Sequence, residues 1–142
     1  MKAIFTILFL IFNLASFSQS EKVAGDYKLT LGTKENDLFE YKLTLSPDGT
    51  FFFHYYSNIK RGIPPEVNKY GKGKWNLEKD VITFSTDKQT DFDKKNILDF
   101  TTSKARFITK SPRDITDKIV KTRIKFLKSE IPWISTIEML KI

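Results

Sequence analysis

Two segments that share one strand–turn–strand pattern place the strongest constraint on the fold of this chain. Residues 43–51 read LTLSPDGTF, and residues 73–84 read GKWNLEKDVITF. On both sides of each turn, apolar residues alternate with polar ones, which is typical of an antiparallel hairpin with one buried face. The pattern therefore predicts an all-β chain assembled from hairpins.

The turn of the first hairpin is specified by its residue types. Pro47 fixes φ at the start of the turn, Asp48 can hydrogen-bond nearby backbone, and Gly49 accepts a left-handed conformation. We therefore expect the chain to reverse direction between Ser46 and Gly49.

In the second hairpin, the alternation predicts which residues meet. Trp75 and Leu77 share one face of their strand, so Ile82 and Phe84 of the returning strand should face them. We expect Trp75 to be buried, with its indole N–H bonded to a backbone carbonyl or to water.

The same alternation and the turn residues between segments divide the rest of the chain into strands. The predicted strands are residues 27–31, 38–45, 50–57, 70–77, 81–86, 97–102, 105–110, 119–127 and 134–140. Residues 58–68 are predicted to form a loop, and residues 112–120 have room for a turn or two of helix. About eight to nine strands without long helices favour an antiparallel meander closed into a small barrel, with a tightly packed sandwich as the alternative.

The N-terminus has the layout of a secretory signal peptide. Lys2 supplies a positive charge, residues 3–12 are apolar, and the small residues Ser16 and Ser18 precede a cleavage site before Gln19. The apolar run is much shorter than the about 20 residues that a membrane-spanning helix needs. The layout predicts a cleaved signal peptide that forms a separate helix in the precursor.

Cleavage between Ser18 and Gln19 defines the predicted organisation. Residues 1–18 are the signal peptide, and residues 19–142 are long enough for one domain with a substantial core. The chain has no cysteine, so it has no disulfides, no thiolate chemistry and no cysteine for a lipid anchor. We therefore expect an exported protein, periplasmic or secreted, that does not span the membrane.

The net charge of +7 is concentrated in the second half of the chain. Between positions 94 and 128 there are eleven Lys and Arg residues against three Asp residues. Lys121, Arg123 and Lys125 alternate with apolar residues on one predicted strand. They form a candidate surface for an anionic component of the cell envelope. The alternative is a solvated strand face that hinders edge-to-edge aggregation.

The sequence offers no combination of residues that is typical of catalysis or metal binding. His54 is the only histidine, and no second ligand lies near it in the sequence. Asp91 and Asp93 fit a solvated acidic loop better than a glycosidase pair. Nucleophile-elbow and phosphate-binding glycine motifs are absent. We therefore predict a protein that is not an enzyme and that uses no cofactor or metal.

Residues 51–56 are aromatic on both faces of their strand, so either both faces are covered or one of them lines a cavity. Basic residues beside exposed rings would suit single-stranded nucleic acid. Here the rings lie mainly before position 76 and the excess charge after position 94. Together with export, this separation argues against a nucleic-acid partner.

The spaced residues Leu43, Leu45, Asp48-Gly49-Thr50-Phe51 and Gly73, Trp75, Leu77, Asp80, Ile82, Phe84 carry a resemblance. Their pattern resembles that of bacterial lipocalin-like proteins and of the small β-barrel domains of envelope-stress lipoproteins. The resemblance implies an antiparallel barrel that can hold an apolar pocket and performs no catalysis.

Two functions remain open. The first is a binding module whose barrel interior accepts an apolar small molecule, with Phe53, Tyr55, Trp75 and Phe84 as candidate pocket residues. The same rings would otherwise simply fill the core. The second is an envelope interaction protein that contacts an anionic partner through its basic C-terminal strands.

Overall fold

Eight antiparallel strands close into a barrel in the computed structural model, which describes residues 19–142. Each strand pairs with the next, and the last pairs with the first. The strands are β1 (Gly25–Gly32), β2 (Leu38–Leu45), β3 (Thr50–Asn58), β4 (Glu66–Glu78), β5 (Val81–Ser85), β6 (Lys104–Ile108), β7 (Arg123–Lys128) and β8 (Glu138–Lys141). The closed antiparallel barrel predicted from the sequence is confirmed, and the sandwich alternative is not what forms. The predicted signal peptide lies outside the described residues.

The first hairpin turn forms as its residues predict. Gly49 has a φ of +89°, and its N–H donates to the carbonyl oxygen of Ser46 at 3.0 Å. The Asp48 carboxylate accepts hydrogen bonds from the backbone N–H and the hydroxyl of Thr50, at 2.9 and 2.6 Å. These bonds fix the direction in which β3 leaves the turn.

The register of the second hairpin is also as predicted. Trp75 lies opposite Phe84, and Leu77 lies opposite Ile82. Trp75 is 7% exposed, and its indole N–H donates to the carbonyl oxygen of Ser46 at 2.9 Å. The prediction of a buried Trp75 with a bonded indole is confirmed.

The middle of the barrel is filled with aromatic rings. The Phe100 ring lies 5.0 to 6.0 Å, between ring centroids, from the rings of Phe51, Phe53 and Phe84. Gly73 lets β4 approach β5, because a Cβ there would lie 2.1 Å from the carbonyl oxygen of Ser85. Close packing of this kind leaves the centre of the barrel filled by its own side chains.

Three predicted strands are shorter than the sequence pattern suggested, or absent. Residues 97–102 form no strand, because the N–H groups of Ile97 and Leu98 both donate to the carbonyl oxygen of Tyr70 instead of to a ladder. Strand β7 begins only at Arg123, and β8 only at Glu138. The apolar residues of segments 97–102, 119–122 and 134–137 therefore lie in loops.

Other boundaries also differ from the prediction. Strand β4 begins at Glu66, which shortens the predicted 58–68 loop. Residues 112–120 contain no helical turn, whereas residues 19–23 are helical and Val23 is buried. Among residues 19–142, no helix has both the length and the apolar character needed to cross a membrane.

Candidate functional site

The two ends of the barrel are built from different loops, because successive connections of an antiparallel meander alternate between its ends. One end, called here the cavity end, is formed by residues 19–24, 46–49, 79–80 and 109–122. The opposite end, called here the plugged end, is formed by residues 33–37, 59–65, 86–103 and 129–137.

A cavity of about 840 Å³ opens at the cavity end. Its wall includes Leu77, Phe107, Thr122 and Lys141, which lie on the inward side at or just beyond the ends of their strands. Side chains at i and i+2 of a strand share a face, so these residues continue the rows that pack the centre. The cavity is therefore the mouth of the barrel, where the rows of inward side chains no longer meet.

The cavity combines an apolar wall with cationic groups. Its apolar residues are Val23, Leu77, Phe107 and Pro112. Its charged residues are Lys22, Lys79, Asp80, Lys110 and Lys141. Four ammonium groups against one carboxylate give the opening a positive charge, which favours ligands with an anionic group.

Two of these ammonium groups are held in place by backbone. The Lys141 ammonium donates to the carbonyl oxygen of Lys22 at 2.7 Å, and the Lys110 ammonium donates to that of Thr116 at 2.5 Å. None of the four lysines forms an ion pair with another of residues 19–142. Each therefore keeps its charge available at the opening.

The N-terminal segment forms one side of the cavity. Val23 is 2% exposed, and the hydroxyl of Tyr27 donates to its carbonyl oxygen at 2.5 Å. Burial raises the pKa of Tyr27 well above that of an ordinary tyrosine, so the hydroxyl remains a donor at any physiological pH. The bond joins residues 19–24 to the first strand of the barrel.

The plugged end is closed by a folded segment between β7 and β8. The Trp133 ring lies 4.7 Å from the ring of Tyr55 and 6.2 Å from the rings of Tyr41 and Phe53. Ile134, in the same segment, is completely buried. A smaller cavity of about 210 Å³ lies outside this plug, between residues 36–37 and 59–61. That volume is below the roughly 300 Å³ at which pockets for small molecules usually begin.

All four candidate pocket residues lie inside the barrel, but they do not line the cavity. Phe53, Trp75 and Phe84 are buried, and Tyr55 is partly buried beneath Trp133. The structure brings them together as the packed centre. The cavity wall instead uses the inward residues nearer the strand ends, such as Leu77, two positions from Trp75.

The candidate anionic-partner surface is brought together, but it includes a counter-charge. The side chains of Arg123 and Lys125 both lie beside Glu138 on β8, at N–O distances of 3.5 and 3.8 Å. Lys121 precedes β7, is exposed, and accepts a hydrogen bond at its carbonyl oxygen from Arg123. Glu138 thus offsets part of the charge on which this hypothesis depends.

The outer face of β3 is neither fully covered nor part of a cavity wall. The His54 ring stacks on the Tyr70 ring at 4.4 Å, and the ammonium of Lys95 lies 4.3 Å from the centre of the same Tyr70 ring. The Nε2 atom of His54 lies 2.8 Å from Oδ1 of Asn68. Phe52 remains 41% exposed. The rings on this face therefore stabilise one another on the outside of the barrel.

The acidic residues considered for catalysis have structural partners. The Asp93 carboxylate accepts hydrogen bonds from the backbone and side chain of Asn96 and from the backbone of Lys95, and these bonds hold its pKa well below the usual range. Asp91 accepts a hydrogen bond from the N–H of Asp87. Residues 19–142 contain no group of three side chains suited to holding a metal ion.

Sequence reasoning missed the cavity for two reasons. The alternation places Leu77 on the inward face with Trp75 and could have marked Phe107 in the same way, but it does not show that the barrel is unfilled at these strand ends. Residues 19–24 look like a polar leader, and nothing local in the sequence indicates that Val23 packs into the core. The missing information was the long-range placement of that segment.

No protein-family model matches the chain, and no curated protein or solved structure matches it significantly. The lipocalin-like resemblance therefore stays a prediction.

Proposed function

We propose that this protein is an exported, non-enzymatic binding protein of lipocalin-like type that holds an apolar small molecule at the cavity end. The observation that carries the proposal is the cavity of about 840 Å³, walled by Val23, Leu77 and Phe107. Its volume falls in the range of roughly 300–1,000 Å³ typical of pockets for small molecules. The packed centre ends below it, so a ligand would enter the mouth without displacing the core.

Exclusion of water favours apolar ligands at this site. Burial of apolar surface contributes about 25 cal/mol per Å², and the wall offers aliphatic and aromatic carbon together. The lysines around the opening add a preference for ligands that have an anionic group at one end. The proposed ligand is therefore apolar over most of its length.

The test uses an apolar probe and one variant that fills the cavity. Decanol titrated into the protein should bind with a negative heat-capacity change, as expected when apolar surface is buried. Leu77→Trp places a larger side chain in the wall and should abolish this binding. Leu127→Trp is the matched control, because Leu127 is 44% exposed on the outer face of β7. Equal decanol binding by the two folded variants would contradict the proposal.

Tryptophan fluorescence gives an independent measurement. In a Trp133→Phe protein all tryptophan emission comes from Trp75, which lies two positions from Leu77 on the same face of β4. Decanol should change this emission. In a Trp75→Phe protein the emission from Trp133, at the plugged end, should stay constant. A response from Trp133 alone would place the ligand at the wrong end.

Export is tested on the precursor. We expect cleavage before Gln19 when the full chain is expressed with a functional secretion system. The mass of the protein recovered from outside the cytoplasm identifies the first residue. Recovery of the uncleaved chain from the cytoplasm alone would contradict this part of the proposal.

The second candidate function is contact with an anionic component of the cell envelope. It is favoured by the exposure of Lys121 beside the cavity end. Binding that depends on Lys121, Arg123 and Lys125 should weaken steeply as salt rises, whereas decanol binding should not. A salt-independent interaction with anionic partners would argue against these three residues.

A further inference from the structure

The connection between β6 and β7, residues 109–122, presents two isoleucines to solvent at the cavity end. Ile115 is 95% exposed and Ile119 is 87% exposed. The two isoleucines lie four positions apart on this loop and together offer a candidate apolar contact surface. The same loop lines the cavity through Thr109 and Lys110, so a partner that covers the isoleucines also lies beside the opening.

The charges of this loop are mainly positive. It contains four cationic residues, Lys110, Arg113, Lys118 and Lys121, and two acidic residues, Asp114 and Asp117. The Asp114 carboxylate is engaged within the loop, because it accepts hydrogen bonds from the N–H and hydroxyl of Thr116 at 2.9 and 2.6 Å. Four cations against two carboxylates give the loop a net charge of +2, and the isoleucines lie among these groups.

We propose that loop 109–122 docks the cavity end on an anionic lipid bilayer, with Ile115 and Ile119 inserted at the boundary between headgroups and acyl chains. Apolar side chains flanked by Lys and Arg are the composition of segments that lie in this interface. A bilayer provides an apolar layer and negative headgroups in one plane, which matches both parts of the loop. Docking requires only the loop, so the inference goes beyond the proposed ligand binding.

The orientation has a consequence for the cavity. Among residues 19–142, the four most exposed isoleucines are Ile115, Ile119 and Ile142 at the cavity end and Ile63 at the plugged end. A bilayer contacted through loop 109–122 would face the opening and not the plug. An apolar ligand could then pass between the bilayer and the cavity over a short path.

The test is flotation of the protein purified from outside the cytoplasm with two kinds of vesicle. We expect binding to phosphatidylcholine mixed with anionic phosphatidylglycerol, and much weaker binding to phosphatidylcholine alone. Replacing both isoleucines, Ile115→Ser with Ile119→Ser, should weaken partitioning to the mixed vesicles at least about tenfold, because two inserted apolar side chains are lost. Each of Arg113→Ser and Lys118→Ser should weaken it about fivefold.

Ile63→Ser is the matched control. Ile63 is 99% exposed and lies beside Lys60 and Arg61, so it offers the same chemistry at the opposite end. We expect its partitioning to equal that of the parent. Equal losses in Ile63→Ser and in the double variant would overturn the proposal, and so would parental binding by the double variant or no vesicle binding by the parent. All these positions are exposed, and unchanged melting temperatures show that each variant is folded.

Failure of docking and failure of ligand binding are separable. The double isoleucine variant should bind decanol as the parent does, because neither isoleucine lines the cavity. Vesicle binding without decanol binding would remove the proposed function and leave the docking loop. Decanol binding without vesicle binding would do the reverse, and the exposed isoleucines would then be a surface for a protein partner.

Discussion

The cavity end and the plugged end are built by the same alternation of inward and outward residues, yet only one of them is filled. At the plugged end, the loops deliver large apolar groups, with Trp133 and the buried Ile134 from one connection and Phe100 from another. At the cavity end, the inward positions of Thr122 and Lys141 contribute polar groups to the wall. Whether an end closes therefore depends on its loops and last strand residues, while the strands alone would leave both ends open.

Under the proposed function, the two ends have separate tasks. Aromatic packing at the plugged end contributes to stability, whereas the unfilled mouth offers volume and charge to a ligand. Stability and binding should therefore respond to different substitutions.

The largest effect on stability is expected at Trp75, which lies in the layer of side chains between the packed centre and the cavity. Trp75→Ala removes a buried ring and its hydrogen bond to Ser46, and should cost about 3–5 kcal/mol in the free energy of unfolding. Denaturant unfolding measures this cost. Phe52→Ala is the control, since that ring is on the outer face and should cost under about 1 kcal/mol. A Trp75→Ala protein that melts within a few degrees of the parent would show that the packed centre does not reach this layer.

A smaller effect is expected from opening the plugged end. Trp133→Ala should cost about 2 kcal/mol, less than a fully buried tryptophan because Trp133 is only partly buried. It should also create a second apolar cavity, so decanol should bind with a higher stoichiometry than in the parent. Trp133→Phe keeps a ring in place and should leave the stoichiometry unchanged. If Trp133→Ala binds no additional decanol, the end is closed by other groups.

The hydrogen bond that joins residues 19–24 to β1 should contribute less to the free energy of unfolding. Tyr27→Phe removes the hydrogen bond to Val23 and should cost about 1 kcal/mol. Decanol affinity should fall with it, because residues 19–24 form part of the cavity wall. Tyr56→Phe removes an exposed hydrogen bond to Glu66 and should leave the free energy of unfolding close to that of the parent. Equal stability of the two variants would show that the buried hydrogen bond of Tyr27 contributes no more than the exposed one of Tyr56.

The raised pKa of Tyr27 adds a pH dependence with a definite sign. The folded state holds the hydroxyl proton of Tyr27 more tightly than the unfolded state does. The contribution of this protonated hydroxyl to the free energy of unfolding is therefore complete below about pH 10 and declines as pH rises beyond that value. Ultraviolet titration should find one tyrosine step, that of Tyr27, well above the range of an ordinary tyrosine. The Tyr27→Phe protein should lack this step.

The smallest effect concerns Asp93, in the segment that helps to close the plugged end. Its pKa is lowered, so its contribution to stability is present above about pH 4, the ordinary pKa of aspartate, and declines as pH falls below it. Asp93→Asn should be less stable than the parent at neutral pH, and the two should converge in acid. Asp117→Asn, in the exposed loop of the cavity end, is the control at neutral pH and should there be as stable as the parent. A constant gap between Asp93→Asn and the parent would argue against this linkage.

The sequence was sufficient for the architecture because the local signals agreed with one another. Turn residues such as Gly49 and the alternation around Trp75 specify both hairpins, and these are confirmed in register and in burial. Local patterns determine which face of a strand is apolar, and a closed meander then follows from the number of strands and from their antiparallel order.

The ends of the barrel could not be predicted in the same way. Ile119 and Ile134 both lie in apolar stretches that predict strands, yet one is exposed in a loop and the other is buried in a plug. The choice depends on contacts with distant residues, such as those between Trp133 and Tyr55. Local periodicity contains no information about such contacts, so the cavity became apparent only in the folded chain.

The closure between β1 and β8 has a consequence for how the barrel forms and opens. This seam pairs only Tyr27 with Lys141 and Lys28 with Leu140, whereas β1 and β2 are paired along the whole of β1. Its partners come from opposite ends of the described chain, so the loop-closure entropy is high and few hydrogen bonds compensate for it. We expect the seam to form last during refolding. In native-state hydrogen exchange, the amides of β8 should exchange faster than those of β2 and β3, which makes this side of the wall the first to separate.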